Sequence, residues 1–584
     1  MSCDNNSLNA RDFEGSEQGI EEHDLLDLTK ELTDAGKYSY VGLCAVSLHA
    51  LFDTDWDQLF CQKCLKCILK HMELPDTVEP IMQLLLSGEM VNTVESFTDI
   101  LKTEEALDGN LTYLLQDLIA VAVQEGLCIG EYDARWRVLI RYIATIIGAQ
   151  FEEVELYEIT VIHCLTRDHR ILSEAEKKAM KSRARLVKAK RYAMIGLATI
   201  GGGALIGVTG GLAAPLIGSG LASMVGGSAL FTALGYGAGA AVLGTFFGAA
   251  GAGLAGYKMN KRVGEIEEFA FGQLCPYTEN GRDGLTMVTT PQLDISIALS
   301  GWIKDESEDN FTRPWKTLCS SREQYYLRYE SAYLLELGRA MEYMMTIALS
   351  MATQEALKFT ILSGLVNAVA WPAGLLGLAS VIDNPWGVCC RRSAQVGKHL
   401  AEVLINREHG RRPVTLIGYS LGARAIFYCL REMSERENCT GVIQDAYLIG
   451  APCTGNPVKW DKICKVVAGT ITNAYCKTDW LLRFLYRTLS MPRGGVAGLQ
   501  PIDINNKRLK NVDLSHIVSG HGDYPEKMQE ILKELGVRVV EHHQDRDELA
   551  VTRSHEHLAV PTDSKTTPMN KSQSDTLLVK NDKK

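Results

Sequence analysis

Charge is missing from one long part of this chain. Between Arg191 and Lys258 no charged residue and no histidine occurs for 66 residues, and 19 of these are glycine. A water-soluble domain of that length must solvate its surface, so the gap excludes an ordinary globular segment. A secretory start is lacking too: "MSCDNNSLNARDFEGSEQG" is polar and acidic, without the apolar core such a signal needs. No glycine stands at position 2, so myristoylation is not expected. The 16 cysteines follow no disulfide-framework spacing, and a cytosol-facing protein with reduced thiols is expected. A formal net charge of -11 leaves no basic footprint for nucleic acid. No phosphate-binding loop or dinucleotide fingerprint is present, and no cofactor or metal is expected.

The uncharged stretch is rich in Leu, Ile, Val, Ala and Phe. A membrane span needs about 20 apolar residues, so this length accommodates two helices and a turn. Lys181, Arg183, Arg185, Lys188, Lys190 and Arg191 precede it, and Lys258, Lys261 and Arg262 follow. Basic residues at both ends place both ends in the cytosol, which requires an even number of crossings. Gly203, Gly207 and Gly211, and again Gly244 and Gly248, recur at four-residue spacing, the small-residue face on which helices pack in lipid. Residues 192–257 are therefore expected to form a membrane hairpin, with membrane lipids as partners and self-association through its glycine faces as a further possibility.

Around it, residues 1–30 carry eight acidic and two basic residues and predict a disordered tail. Residues 31–190 show apolar spacing of three and four, as in "EPIMQLLLSGEMVNTVESFTDILK", and predict helices. Residues 541–584 are polar and predict a second disordered tail. Within the helical region Cys61, Cys64, Cys67 and His71 share one helical arc. A structural zinc site draws ligand pairs from two elements, and no second pair appears, so buried packing is the reading.

From about residue 264 to 540 the pattern alternates. "LDISIALSGWI" and "EQYYLRYES" read as strands, "QVGKHLAEVLINREHG" as a helix, and "RPVTLIG" as a short buried strand. "LGARAIFYCLREMSER" is an amphipathic helix; "DAYLIGAP", "GTITNAYC" and "NVDLSHIV" are further strands, and "YPEKMQEILKELG" a final helix. Such alternation predicts an α/β domain, a mostly parallel sheet with helices on both faces. "GYSLG" then places Ser420 between a buried strand and a helix, where Gly418 and Gly422 permit the sharp turn that exposes a nucleophile.

A serine needs a base and an orienting acid, in the chain order Ser, acid, His for this architecture. Asp479 lies just beyond a strand; Asp445, Asp461 and Asp503 are less well placed. His521 sits in a loop between Gly520 and Gly522, whereas His516 alternates with Val512, Leu514 and Val518 as a packed or rim residue would. The backbone N–H of Leu421 and one from Gly301 or Trp302 are the candidate oxyanion donors.

The hairpin, "LSGW", "LIGYSLGARAIFYCL", "LIGAP", "TDWLLRFLYR" and "SHIVSGHGDY" together resemble the transmembrane and coiled-coil domain-containing protein 4 family, over about residues 150 to 540. The resemblance implies a multi-pass membrane protein with an α/β-hydrolase fold and supports Ser420, Asp479 and His521 as a triad. It supplies no substrate. For the coiled coil its name promises, the charged helix near 150–190 is the one candidate, without a sustained heptad.

A second apolar run, 359–382, lies within an insertion at about 332–394. A single crossing there would divide strands that belong to one sheet, so it is read as a cap, an interfacial segment or a buried core helix. A hydrophobic cap beside a membrane anchor points to a lipid or other acyl ester as substrate. The expected function is thus a membrane-anchored serine hydrolase, esterase or lipase. The alternative is a catalytically silent membrane scaffold that uses the fold to bind partners.

Overall fold

Four short apolar runs form the interior of the molecule. Ile295–Leu299 (β2), Val414–Tyr419 (β4), Ile443–Ile449 (β5) and Ile471–Tyr475 (β6) are buried almost throughout, as strands covered on both faces must be. With Phe269–Leu274 (β1), Gln324–Tyr329 (β3) and Leu509–Asp513 (β7) they make one seven-stranded sheet in the order β1-β3-β2-β4-β5-β6-β7. Only β1 runs antiparallel to its neighbour. After β2 the chain moves outward to β3, then returns to lay β4 on the other side of β2. The strand order therefore reverses between β2 and β4, and in such sheets the crevice at the carboxyl ends of the strands is where ligands bind.

The computed structural model describes residues 27–90, 93–167, 254, 266–274, 292–307, 309–321, 323–354, 376–377, 379–486 and 495–540. The expected hairpin at 192–257 (Leu254 aside), the tails at 1–26 and 541–584, and most of the 359–382 run lie outside them. Among the described residues no helix is long and apolar enough to cross a membrane. The strands on either side of the 359–382 run, β3 and β4, do belong to one sheet, as the argument against a single crossing required.

Among the described residues ahead of the sheet the regular elements are helices, from Leu28–Glu31 to Phe151–Arg167. Thr33 caps Asp34–Leu51 by accepting the Gly36 N–H, and Asp133 caps Ala134–Ile147 through the Arg135 N–H. Cys61 and Cys64 are buried in Gln58–His71, and His71 Nε2 lies 2.8 Å from Asp117 Oδ1.

This region is fastened to the sheet by buried charge. Arg137 donates to both oxygens of Glu158 (2.7 and 3.0 Å) and to Gln444 Oε1 (2.9 Å), and is ion-paired with Asp294 at 2.9 Å. Arg141 donates to Asp445 at 2.7 Å, and Asp57 joins Arg135 to Arg508.

Several sequence expectations need correction. The helix read in "QVGKHLAEVLINREHG" spans Ala379–Ile405, carrying Pro385 inside it, and ends before Gly410, which lies in a turn at φ +89°. β7 ends at Asp513, so His516 is not on a strand face. The final helix starts at Met528, behind a short 3-10 turn at His521–Asp523. β1 was not foreseen.

Candidate active site

The turn after β4 dictates an unusual backbone. Ser420 stands at φ +52° and ψ −124°, a conformation that costs a non-glycine residue about 1–3 kcal/mol and holds its side chain out of the turn. The Ser420 N–H donates to Ile449 O at 2.8 Å, and its carbonyl accepts from Arg424 N at 3.0 Å, which fixes the turn at both ends. A Cβ at Gly422 would lie 2.1 Å from Leu299 O, so the helix Leu421–Ser434 meets β2 only because no side chain stands there. At Gly418 a Cβ would come within 2.8 Å of Ile426 Cδ1.

Ser420 Oγ lies 2.6 Å from His521 Nε2, and His521 Nδ1 lies 2.6 Å from Asp479 Oδ2. A carboxylate only accepts, so the proton of the imidazole belongs on Nδ1, leaving Nε2 to accept from the serine hydroxyl. The other Asp479 oxygen accepts the Leu482 N–H at 3.0 Å, capping Trp480–Leu485. All three side chains are buried. They come from the carboxyl ends of β4, β6 and β7 and meet at the crevice the strand order defines.

Around them, Tyr524 stands edge-on to the imidazole, with ring centres 5.3 Å apart, and its hydroxyl is 3.5 Å from Asp479 Oδ2. Burial, then the charge of Asp479, pushes the Tyr524 phenol well above its ordinary range, which keeps it a donor. Asp523 Oδ2 accepts from the N–H groups of Ser519 and Gly520 (2.9 and 3.2 Å) and so closes the loop that carries His521. Arg424 donates to Cys390 O and Pro452 O, tying the serine helix to the helix Ala379–Ile405 and to the turn after β5. Tyr524 and Arg424 were missed in the sequence. A visible signal existed for Arg424, a cation four residues after Ser420 in an otherwise apolar turn.

The loop after β2 faces this arrangement. A Cβ at Gly301 would fall 2.5 Å from Ser420 Cβ and 2.8 Å from Leu421 N, so glycine leaves open the space between the two candidate donor segments. Trp302 is buried beside it, and its carbonyl accepts from Tyr419 Oη at 3.2 Å. Burial raises the Tyr419 phenol, while hydrogen bonds from Ser300 and from the Gly301 and Trp302 backbone pull the other way. The helix Ser331–Gln354, first part of the expected cap, reaches the histidine loop, since a Cβ at Gly522 would sit 2.6 Å from Met345 Sδ.

The rival residues are placed elsewhere. Asp445 pairs with Arg141, Asp461 accepts from Asn506 at 2.9 Å, and Asp503 is exposed. His516 is exposed, 3.6 Å from Glu534.

These features define the class: a mixed α/β protein with a mostly parallel sheet and a helical region ahead of it. Residues 187–538 match the family described as protein of unknown function (DUF726). An uncharacterized membrane protein of Caenorhabditis elegans is 43% identical over 545 residues, covering 90% of this chain and 83% of that one. The transmembrane and coiled-coil domain-containing protein STS1 of Oryza sativa is 38% identical over 419 residues, 69% of this chain and 61% of that one. The probable lipase MIL1 of Saccharomyces cerevisiae is 29% identical over 446 residues, 75% of this chain and 40% of its own length. No solved structure matches. The chain belongs to the DUF726 family, among relatives named as membrane proteins.

Proposed function

We propose that this protein is a membrane-anchored serine hydrolase of the α/β-hydrolase fold, acting on a lipid or other acyl ester. The observation that carries the reading is the unbroken hydrogen-bonded series Ser420–His521–Asp479, built from three strand ends onto a strained serine. Support also comes from the strand order with its antiparallel edge, and from the relative named as a probable lipase.

In this reading Ser420 Oγ attacks the ester carbonyl while its proton passes to His521 Nε2. Asp479 holds the imidazole in the required tautomer and stabilises the imidazolium. The negative charge that develops on the carbonyl oxygen faces the Leu421 N–H and one from Gly301 or Trp302. Collapse breaks the ester bond as His521 returns its proton to the leaving alkoxide, leaving the acyl group on Ser420. Water then attacks, giving its proton to His521, and the acid departs as Ser420 is reprotonated. Residues 192–257 would anchor the domain as a two-helix hairpin with both termini and the catalytic domain in the cytosol.

The test is labelling of the membrane-bound protein by a fluorophosphonate. Labelling is expected in the native chain, absent in Ser420→Ala and His521→Ala, and retained in His516→Ala. A folded protein that does not label in vesicles or in detergent would overturn the hydrolase and favour the partner-binding scaffold.

A further inference from the structure

Beside the candidate site lies a cavity of about 320 Å³ that the mechanism above leaves without a role. Trp302, Lys304, Asn310, Arg313, Tyr419 and Glu526 line it. Its position is specific. Tyr419 immediately precedes Ser420, Trp302 belongs to the loop facing the serine, and Glu526 follows the histidine turn by three residues.

The chemistry of the lining is that of an anion site. Lys304 Nζ donates to Glu526 Oε1 at 2.8 Å, which accounts for one cation and the one carboxylate. Arg313 forms no ion pair among the described residues, so the lining carries one positive charge in excess. Its charge nevertheless reaches the cavity. The Glu526 carboxyl is held below its ordinary value first by the Lys304 hydrogen bond, and by the charges of Lys304 and Arg313 as well. Arg313 opens the turn Arg313–Trp315, whose tryptophan is buried and donates its indole N–H to Ser300 Oγ at 3.1 Å. The backbone that carries Arg313 is thus an anchored turn rather than a free loop, and its side chain is exposed. Trp302 lines the cavity and is only 2% exposed, and Lys304 Nζ stands 5.8 Å from the centre of its ring.

We infer that this cavity holds the phosphodiester of a glycerophospholipid, so that the ester cleaved at Ser420 is that of a phospholipid rather than of a neutral acylglycerol. The inference rests on the hydrolase reading for its role but on the cavity alone for its ligand. A phosphodiester bears a single negative charge, matching the excess of the lining, and its oxygens suit the guanidinium fork. The volume is at the small end for ligand pockets, which suits a headgroup better than an acyl chain.

The experiment uses the full chain carrying Ser420→Ala, in detergent micelles, so that binding is read without turnover. Dihexanoyl phosphatidylcholine, dihexanoylglycerol and inorganic phosphate are titrated in parallel. The phospholipid is expected to bind about tenfold tighter than the diacylglycerol, and Arg313→Gln, a neutral change at an exposed position, to abolish that preference. Equal affinity for the two lipids, or a preference that survives in both Arg313→Gln and Lys304→Gln, would overturn the inference. Phosphate alone competing as strongly as the phospholipid would overturn the lipid assignment in favour of a free anion. A headgroup preference in a chain that fails to label with fluorophosphonate would defeat the hydrolase and leave this site standing.

Discussion

The two ends of the parallel strands both bury polar groups and use them oppositely. At the amino ends of the strands lie Asp294, Glu323, Arg412, Asp445 and Arg508. Asp294, Asp445 and Arg508 meet Arg137, Arg141 and Asp57 of the helical region, while Arg412 Nη1 donates to Glu323 at 2.7 Å. At the carboxyl ends lie Gly301, Ser420, Asp479 and His521. In the first set every acidic side chain faces a basic one, often through two oxygens or nitrogens. In the second, the series ends on a neutral hydroxyl in a strained turn. A low dielectric strengthens both arrangements. What separates a clamp from a candidate reaction centre is whether the last group in the chain has a partner of full charge. The strand order explains the division, because it opens a crevice at one edge only.

Asp479→Asn gives the largest expected effect and probes the reactive edge. Asparagine keeps the cap on Leu482 but cannot hold the imidazole in the same tautomer. Turnover of an ester substrate, or the fluorophosphonate labelling rate, should fall by about 10⁴, with the melting temperature nearly unchanged. A large loss of stability with little loss of labelling would assign Asp479 to the clamp class instead.

Next comes Arg137→Ala, at the opposite edge. It leaves Glu158 and Asp294 buried without their cation, and breaking such a pair costs about 3–5 kcal/mol. Denaturant unfolding should report that loss, while the labelling rate per folded molecule stays constant. A labelling rate that changes in step would show the two edges to be coupled.

The sequence made these edges unequally legible. β2, β4, β5 and β6 stand out because strands buried on both faces are short apolar runs bounded by turn residues. β1 does not, since it is an edge strand whose alternation breaks at Gly272 and Gln273. The side chains that meet at the other end, Ser420, His521 and Asp479, each follow a strand, and the order of residue types is itself a constraint. The strand-face reading of His516 was mistaken, since β7 stops at Asp513; it is exposed, beside Glu534. The clamp had no local signal at all. Arg137 and Arg141 read as the polar side of a helix, and their partners Gln444 and Asp445 lie about 300 residues away. The cavity beside Trp302 was equally silent, for its lining comes from three separate segments.

The smallest expected effect concerns Asp294 and tests how complete the clamp is. Burial raises its carboxyl from the ordinary value to about 7, against the pull of Arg137 and with Glu158 and Glu155 pushing the same way. The folded protein therefore retains a proton that the unfolded chain gives up between about pH 4 and 7. Stability from this group is fully present below the ordinary carboxyl range and is lost as pH rises through about 7. Asp445 behaves in the opposite sense. Burial alone would raise it, but the charge and hydrogen bond of Arg141 hold it below its ordinary value, so its contribution is lost as pH falls. Asp294→Asn removes the first term and leaves the second. The difference in unfolding free energy between native and variant chains should then move against the native chain from pH 5 to 8. The slope is at most about 1.4 kcal/mol per pH unit. A difference independent of pH across that range would mean that Asp294 stays ionised, and that the clamp at this edge is a complete ion pair.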